Sequence, residues 1–194
     1  MKNTILAILA LVLVGSATAG VSTDLVRVDL TQSRATLLVE STDEQPARFE
    51  AAIMKWTPAG LQHTDEVAAS PRFFAVAART PQQIQLLAVK PRGDVEGTYR
   101  LVFTSLDGTA TLSVPVFLPP ASVGRAKIVA TRDGKILTVK NVGNVTQRMA
   151  KVYQQNGLMI DVNIYLLPGQ MLSVEADGGQ VLGDLSQNSR EKAR

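Results

Sequence analysis

From Val26 onward the chain alternates apolar and polar residues with a period of two. Val26, Val28 and Leu30 alternate with Arg27 and Asp29, and Ala35, Leu37 and Val39 continue in the same way. Successive side chains of a strand point to opposite faces, so this alternation predicts strands with one buried face. Phe49–Trp56 is apolar on both parities, which predicts a central strand packed on one face and partly covered on the other. Further strands are expected at Phe73–Ala77, Gln83–Val89, Thr98–Thr104 and Ala110–Leu118. Turn chemistry separates them: Thr57-Pro58-Ala59-Gly60, Pro91-Arg92-Gly93-Asp94 and Leu106-Asp107-Gly108. Asp107-Gly108 signals a tight hairpin, so its flanking strands should be antiparallel neighbours.

Pro119-Pro120 closes this block, and Ala121–Gly124 has the composition of a linker. A second series of short strands follows. Lys127–Thr131 and Lys135–Asn141 flank the turn Arg132-Asp133-Gly134. Gln147–Tyr153, Leu158–Asp161, Asn163–Leu167, Met171–Glu175 and Gly179–Leu182 come next, with turns at Asn156-Gly157 and Pro168-Gly169. Many short strands without a helical period predict an all-β chain of two sandwiches. The first spans residues 20–120 and the smaller second 121–185, leaving a polar, aperiodic tail over 186–194 that is expected to be disordered.

The N-terminus predicts the compartment. Lys2, the apolar run Ile5–Val14 and the small residues Ala17-Thr18-Ala19 have the form of a secretory signal peptide over 1–19, with the mature chain beginning at Gly20. A bilayer span takes about 20 apolar residues, more than this run supplies. The chain has no cysteine, which excludes disulfides and thiolate metal sites. Its formal net charge is +3 with Lys and Arg dispersed, so nothing points to nucleic acid.

Catalytic chemistry finds little support. His63 is the single histidine, in a polar stretch beside Thr64-Asp65-Glu66, where a solvated side chain is the ordinary reading. Asp43-Glu44 and Asp65-Glu66 are adjacent loop pairs, and no G-x-S-x-G, phosphate loop or H-E-x-x-H is present. Asn144-Val145-Thr146 fits a glycosylation acceptor. No catalytic residue, metal site or cofactor is predicted. The strand Ala110–Leu118 is more informative. Leu112, Val114, Val116 and Leu118 share one face, opposite Thr111, Ser113 and Pro115. These aliphatics either fill their own sandwich core or serve a strand whose free edge pairs with another chain, the recognition mode called β-strand addition. Pro115 lacks a backbone donor and suits an edge position.

Several motifs, in order, resemble the periplasmic chaperones of chaperone–usher pilus systems. Val21-Ser22-Thr23-Asp24-Leu25-Val26-Arg27 looks like that family's first strand, and Trp56 like its third-strand tryptophan, a core position. Ser70-Pro71-Arg72-Phe73-Phe74 and Gln83-Ile84-Gln85-Leu86 match P-x-x-F and Q-x-I/V-R, with Gln85 where Arg is usual. Glu96-Gly97-Thr98-Tyr99-Arg100-Leu101 matches E-x-x-Y-R-L, and Val114–Pro120 looks like the domain-ending strand of a divergent branch. Leu137–Asn144 resembles the L-x-V-x-N strand of the second domain, and Leu166-Leu167-Pro168-Gly169 its L-L-P-G turn.

The resemblance implies two immunoglobulin-like sandwiches in an L-shaped arrangement, located in the periplasm. It implies a chaperone that caps pilin subunits by β-strand donation and delivers them to an outer-membrane usher. The alternative is an accessory or structural pilus component, or a periplasmic binding module, that keeps the sandwich without strand donation. Carried over residue by residue, Arg27 would grip the subunit's C-terminal carboxylate, and Leu106, Ala110, Leu112, Val114 and Val116 would meet its groove. The chain departs from the family at Pro115, where a second basic residue is usual; Arg100 or Lys90 would then substitute. Its donor strand is short, with Leu106, Gly108 and Ala110 in the stretch where the family carries bulky residues.

Overall fold

The computed structural model describes residues 21–41, 46–77, 80–108, 110–154, 159–175 and 179–182. The expected leader and tail, the Asp43-Glu44 pair and the Asn156-Gly157 turn lie outside the described residues. All regular elements among the described residues are strands. Before Pro119 they are β1 (Val21–Thr23), β2 (Val28–Asp29), β3 (Arg34–Ser41), β4 (Ala47–Thr57), β5 (Gly60–His63), β6 (Val67–Ser70), β7 (Phe73–Val76), β8 (Gln82–Ala88), β9 (Gly97–Ser105) and β10 (Thr111–Leu118). One sheet runs β1-β3-β8-β6; the facing sheet runs β2-β10-β9-β4-β5, with β7 also paired to β4. Val28, Leu37, Val39, Phe49, Ile84, Leu101, Phe103 and Val116 are almost fully buried in the core between them. Each such side chain contributes about 1.5–3 kcal/mol of burial, and cross-strand alternation is what delivers so many of them to one layer.

After the linker come β11 (Ile128–Asp133), β12 (Ile136–Asn141), β13 (Gln147–Gln154), β14 (Met159–Leu166), β15 (Met171–Glu175) and β16 (Gly179–Leu182). They form two three-stranded sheets, β11-β12-β15 and β14-β13-β16. Leu137, Val139, Met149 and Leu166 make a second, smaller core.

The alternation located most strands and missed some details. The expected strand through Val26 is broken: β1 pairs with β3 in one sheet, and β2 crosses to pair in parallel with β10 in the other. Val26 falls in the crossing and is 88% exposed. β5 and β6 were not anticipated; β5 is exposed at every residue, so it carries no apolar periodicity. The two strands predicted either side of Val162 are one, β14. Gly134-Lys135, rather than Arg132-Asp133-Gly134, turns β11 into β12, with Gly134 at a left-handed φ of 56°. Asp107-Gly108 does join antiparallel neighbours, β9 and β10, through a loop closed by the Gly108 N–H donating to the Ser105 carbonyl at 2.9 Å.

The junction between the two cores is held by backbone, carboxamide and carboxylate groups. Asn144 Nδ2 donates to the Asp94 carbonyl at 3.0 Å, and its Oδ1 accepts from the Arg125 N–H at 2.7 Å. The Glu96 N–H donates to the Asn144 carbonyl at 2.8 Å, and Glu96 Oε2 accepts from the Thr146 N–H at 2.7 Å. Burial raises the Glu96 carboxyl above its ordinary pKa, against the lowering effect of its hydrogen bond to Thr146. Gly143 lets the linker pass: a Cβ there would lie 2.2 Å from the Arg125 carbonyl oxygen.

Candidate functional site

The outer edge of β10 is the feature that topology leaves open. The Ser105 N–H donates to the Ala110 carbonyl, and the Leu30 N–H donates to the Phe117 carbonyl. With the unbroken β9–β10 register, these two bonds set the direction of every backbone group on the strand. Even-numbered residues turn N–H and C=O toward β9; odd-numbered residues turn theirs outward. β2 covers only the Val116–Phe117 end. Among the described residues, no strand pairs with the outer edge at Thr111–Pro115. The edge therefore offers the N–H and carbonyl groups of the exposed Thr111 and Ser113, while Pro115 is itself buried. Pro115 lacks its donor on the side where the fold makes no use of one.

The same parity governs the side chains. Val114 and Val116 are 2% and 0% exposed in the chain's own core, and Leu112 packs against that core. Of the two readings open for these aliphatics, the structure places them inside. Ala110 is buried, with its N–H donating to Ser105 Oγ at 2.8 Å. Leu106, in the hairpin loop, is 57% exposed and is the residue of this set that presents a large apolar side chain to solvent.

At the β2 end, the odd face of β10 runs into a cleft where side chains from both cores stack. Arg27 lies over the Phe117 ring, 4.2 Å from its centroid, and its Nη2 bonds to Asp29 Oδ1 at 2.9 Å. Tyr165, on β14, packs against Phe117 with centroids 5.6 Å apart and edge-on to Trp56 at 5.9 Å. Arg100 lies over Trp56 at 4.2 Å. Five side chains thus run in file: Arg27, Phe117, Tyr165, Trp56, Arg100. Trp56 is not in the core as the resemblance implied. Phe49, Ala51 and Ile53 face inward, so the even-numbered Trp56 faces out into the cleft, half-buried. A run apolar on both parities does not reveal which parity is inside.

The two guanidiniums differ. Arg27 is neutralised by Asp29, whereas Arg100 makes no ion pair or hydrogen bond among the described residues. Burial pulls the Arg100 pKa below its ordinary value, countered by the nearby Tyr165. Arg100 is also the cross-strand partner of Pro115, next to the open edge. Lys90 is engaged elsewhere, with Asp65 Oδ1 at 3.1 Å and Glu66 at 3.8 Å.

A groove of about 410 Å³ lies beside the stack, with Trp56, Pro58, Val95, Thr98, Leu118 and Leu167 among its walls. In it Glu66 accepts from Lys55 Nζ at 2.8 Å and from the Tyr99 hydroxyl at 3.0 Å. Lys55 holds the Glu66 carboxyl below its usual range. Burial, together with Glu66, pushes the Tyr99 hydroxyl well above its own. His63 is exposed on β5. Among the described residues, no group of three or more His, Cys, Asp or Glu could hold a metal ion.

Comparison with solved structures decides the fold. The chain matches a chain of the Salmonella enterica SafA pilin–SafB chaperone complex with a TM-score of 0.69 and 16% identity, covering 88% of this chain and 93% of that one. It has the two-domain immunoglobulin-like fold of the pilus chaperones. The E. coli chaperone DraB matches at a TM-score of 0.66 and 13% identity over 80% of this chain and 84% of that one. A chain of the CsuC–CsuE chaperone–tip subunit complex of Acinetobacter baumannii matches at 0.63 and 13% over 84% and 98%. No family model and no curated protein matches the sequence.

Sequence reasoning singled out Arg27 and Arg100 but missed what they rest on. Phe117 and Tyr165 carried no signal of their own, since β10 and β14 belong to different cores. Parity could have placed Arg100 and Pro115 on one face once their strands were aligned.

Proposed function

We propose that this protein is a periplasmic chaperone that binds pilin subunits by adding β10 to their incomplete sheets and delivers them to an outer-membrane usher. Its leader is residues 1–19, its sandwiches are 20–120 and 121–185, and its tail is 186–194. The open Thr111–Pro115 edge, running directly into a cleft with two ring-stacked guanidiniums, carries this reading. Edge pairing supplies affinity without a catalytic group or cofactor, because one set of ladder hydrogen bonds replaces another. Arg100 is the better anion anchor of the two, since no described residue compensates its charge while Arg27 is held by Asp29. A terminal carboxylate there would set the register of the incoming strand. Leu106 meets the far end of the subunit groove, and Leu112, Val114 and Val116 keep the donor strand rigid from behind.

That internal packing of the β10 aliphatics also supports the second reading, an accessory or structural pilus component that does not donate a strand. Affinity purification of the protein from the periplasm, with identification of bound pilin, separates the two. A stoichiometric pilin complex is expected, and recovery of the protein free of any pilin would exclude strand donation.

A further inference from the structure

We propose that Tyr165 is a positioning residue of the cleft, through which the second domain sets both guanidiniums for an incoming carboxylate. The inference rests on reading the cleft as the subunit site. Tyr165 is the member of the five-residue file that comes from beyond the linker, and it touches both rings that carry a guanidinium. Phe117 is 0% exposed although it lies on the outer face of its sheet, so it is cover from outside that keeps it dry. The offset and edge-on contacts of Tyr165 fix the ring planes against which Arg27 and Arg100 lie. Neither guanidinium touches the second core by a hydrogen bond or ion pair among the described residues. Their placement relative to it passes through this ring.

The contribution is the ring rather than the hydroxyl, so Tyr165→Phe should preserve it and Tyr165→Ala should remove it. Trp56 is the chain's only tryptophan and therefore reports the contact directly. The test uses the pilin that co-purifies with the protein: its C-terminal strand is synthesised as the free acid and as the amide. Wild type should bind the acid more tightly. Tyr165→Ala should weaken acid binding severalfold, with roughly 150-fold as the ceiling that the two aromatic contacts can contribute through orientation. It should also narrow the acid-to-amide ratio and shift Trp56 emission to the red, while Tyr165→Phe stays within about twofold of wild type. A general loss of fold would lower both peptides equally and leave the ratio in place. An unchanged ratio in a Tyr165→Ala protein that still unfolds cooperatively would overturn the proposal, and where that variant does not fold, an unchanged ratio in Tyr165→Leu would do so. Wild type that binds neither peptide, or that recovers no pilin, would instead sink the chaperone reading and this role with it.

Discussion

Proline scanning along β10 should separate the strand's inner edge from its outer one. Ser113 turns its N–H outward and pairs with Val102 without exchanging ladder bonds; Leu112 turns its N–H to Phe103 on β9. Ser113→Pro therefore removes a donor that the isolated chain does not use, and Leu112 already has the extended backbone a following proline requires. Its fold should lose less than that of Leu112→Pro, because no ladder bond is broken. Leu112→Pro strands the Phe103 carbonyl inside the sheet, costing about 1–3 kcal/mol, or roughly 2–12 °C in Tm for a chain of this size. Pilin binding should reverse the order of sensitivity. With Ser113→Pro an acceptor on the incoming strand is left unpaired, again about 1–3 kcal/mol, which is roughly 5- to 150-fold in affinity. Calorimetric Tm and a pilin titration on both variants measure the two effects. Equal losses of Tm would refute the parity derived from the Ala110 and Phe117 carbonyls. Wild-type pilin affinity in Ser113→Pro would refute the edge as the binding site.

Arg100→Ala should reduce pilin affinity more than Arg27→Ala while shifting Tm by a few degrees at most, because burial of an unpaired guanidinium offsets its stacking on Trp56; the reverse ranking in titration would return the anchor to Arg27. Arg100→Lys should recover only part of the loss, since an ammonium lacks the planar fork. The raised Glu96 pKa means that the folded state binds its proton more readily than the unfolded state does. Stability from this group is therefore greatest below the ordinary carboxylate value near 4.5 and falls as pH rises through the raised value. Glu96→Gln keeps an acceptor for the Thr146 N–H without titrating, so Tm measured from pH 4 to 8 should fall less steeply with rising pH than in wild type; parallel curves would contradict it. Asn144→Ala removes the side-chain bonds to Asp94 and Arg125 at the junction and should cost about 1–3 kcal/mol, read as a lower denaturant midpoint. Gly143→Ala should destabilise as well, through its collision with the Arg125 carbonyl, and a neutral result would mean the linker yields without cost.

Much of the fold was legible because alternation is a local property. Ala35, Leu37 and Val39 on β3 place themselves inward by parity alone, and parity puts Leu112, Val114 and Val116 of β10 on one face, which the fold then turns inward. Turn residues such as Asp107-Gly108 announce antiparallel neighbours for a reason equally local, the left-handed φ of 74° that Gly108 adopts. The edge strand β5 and the crossing at Val26 escaped because nothing buries them. Trp56 was misplaced because Phe49–Trp56 is apolar on both faces, and only pairing with β9 on one side and Tyr165 on the other shows which face is which.

The sequence by itself therefore determined an all-β chain, most of its strands, the shared face of the β10 aliphatics and a proline suited to an edge, since each depends on neighbours two or four residues away. Tertiary structure decided the rest. Among the described residues it left the outer edge of Thr111–Pro115 without a partner strand and Arg100 without an anion, and it brought Tyr165 across the linker to sit between Phe117 and Trp56. The ring contacts join residues 44 to 109 positions apart, and no local pattern records which distant side chain will cover an outward-facing ring.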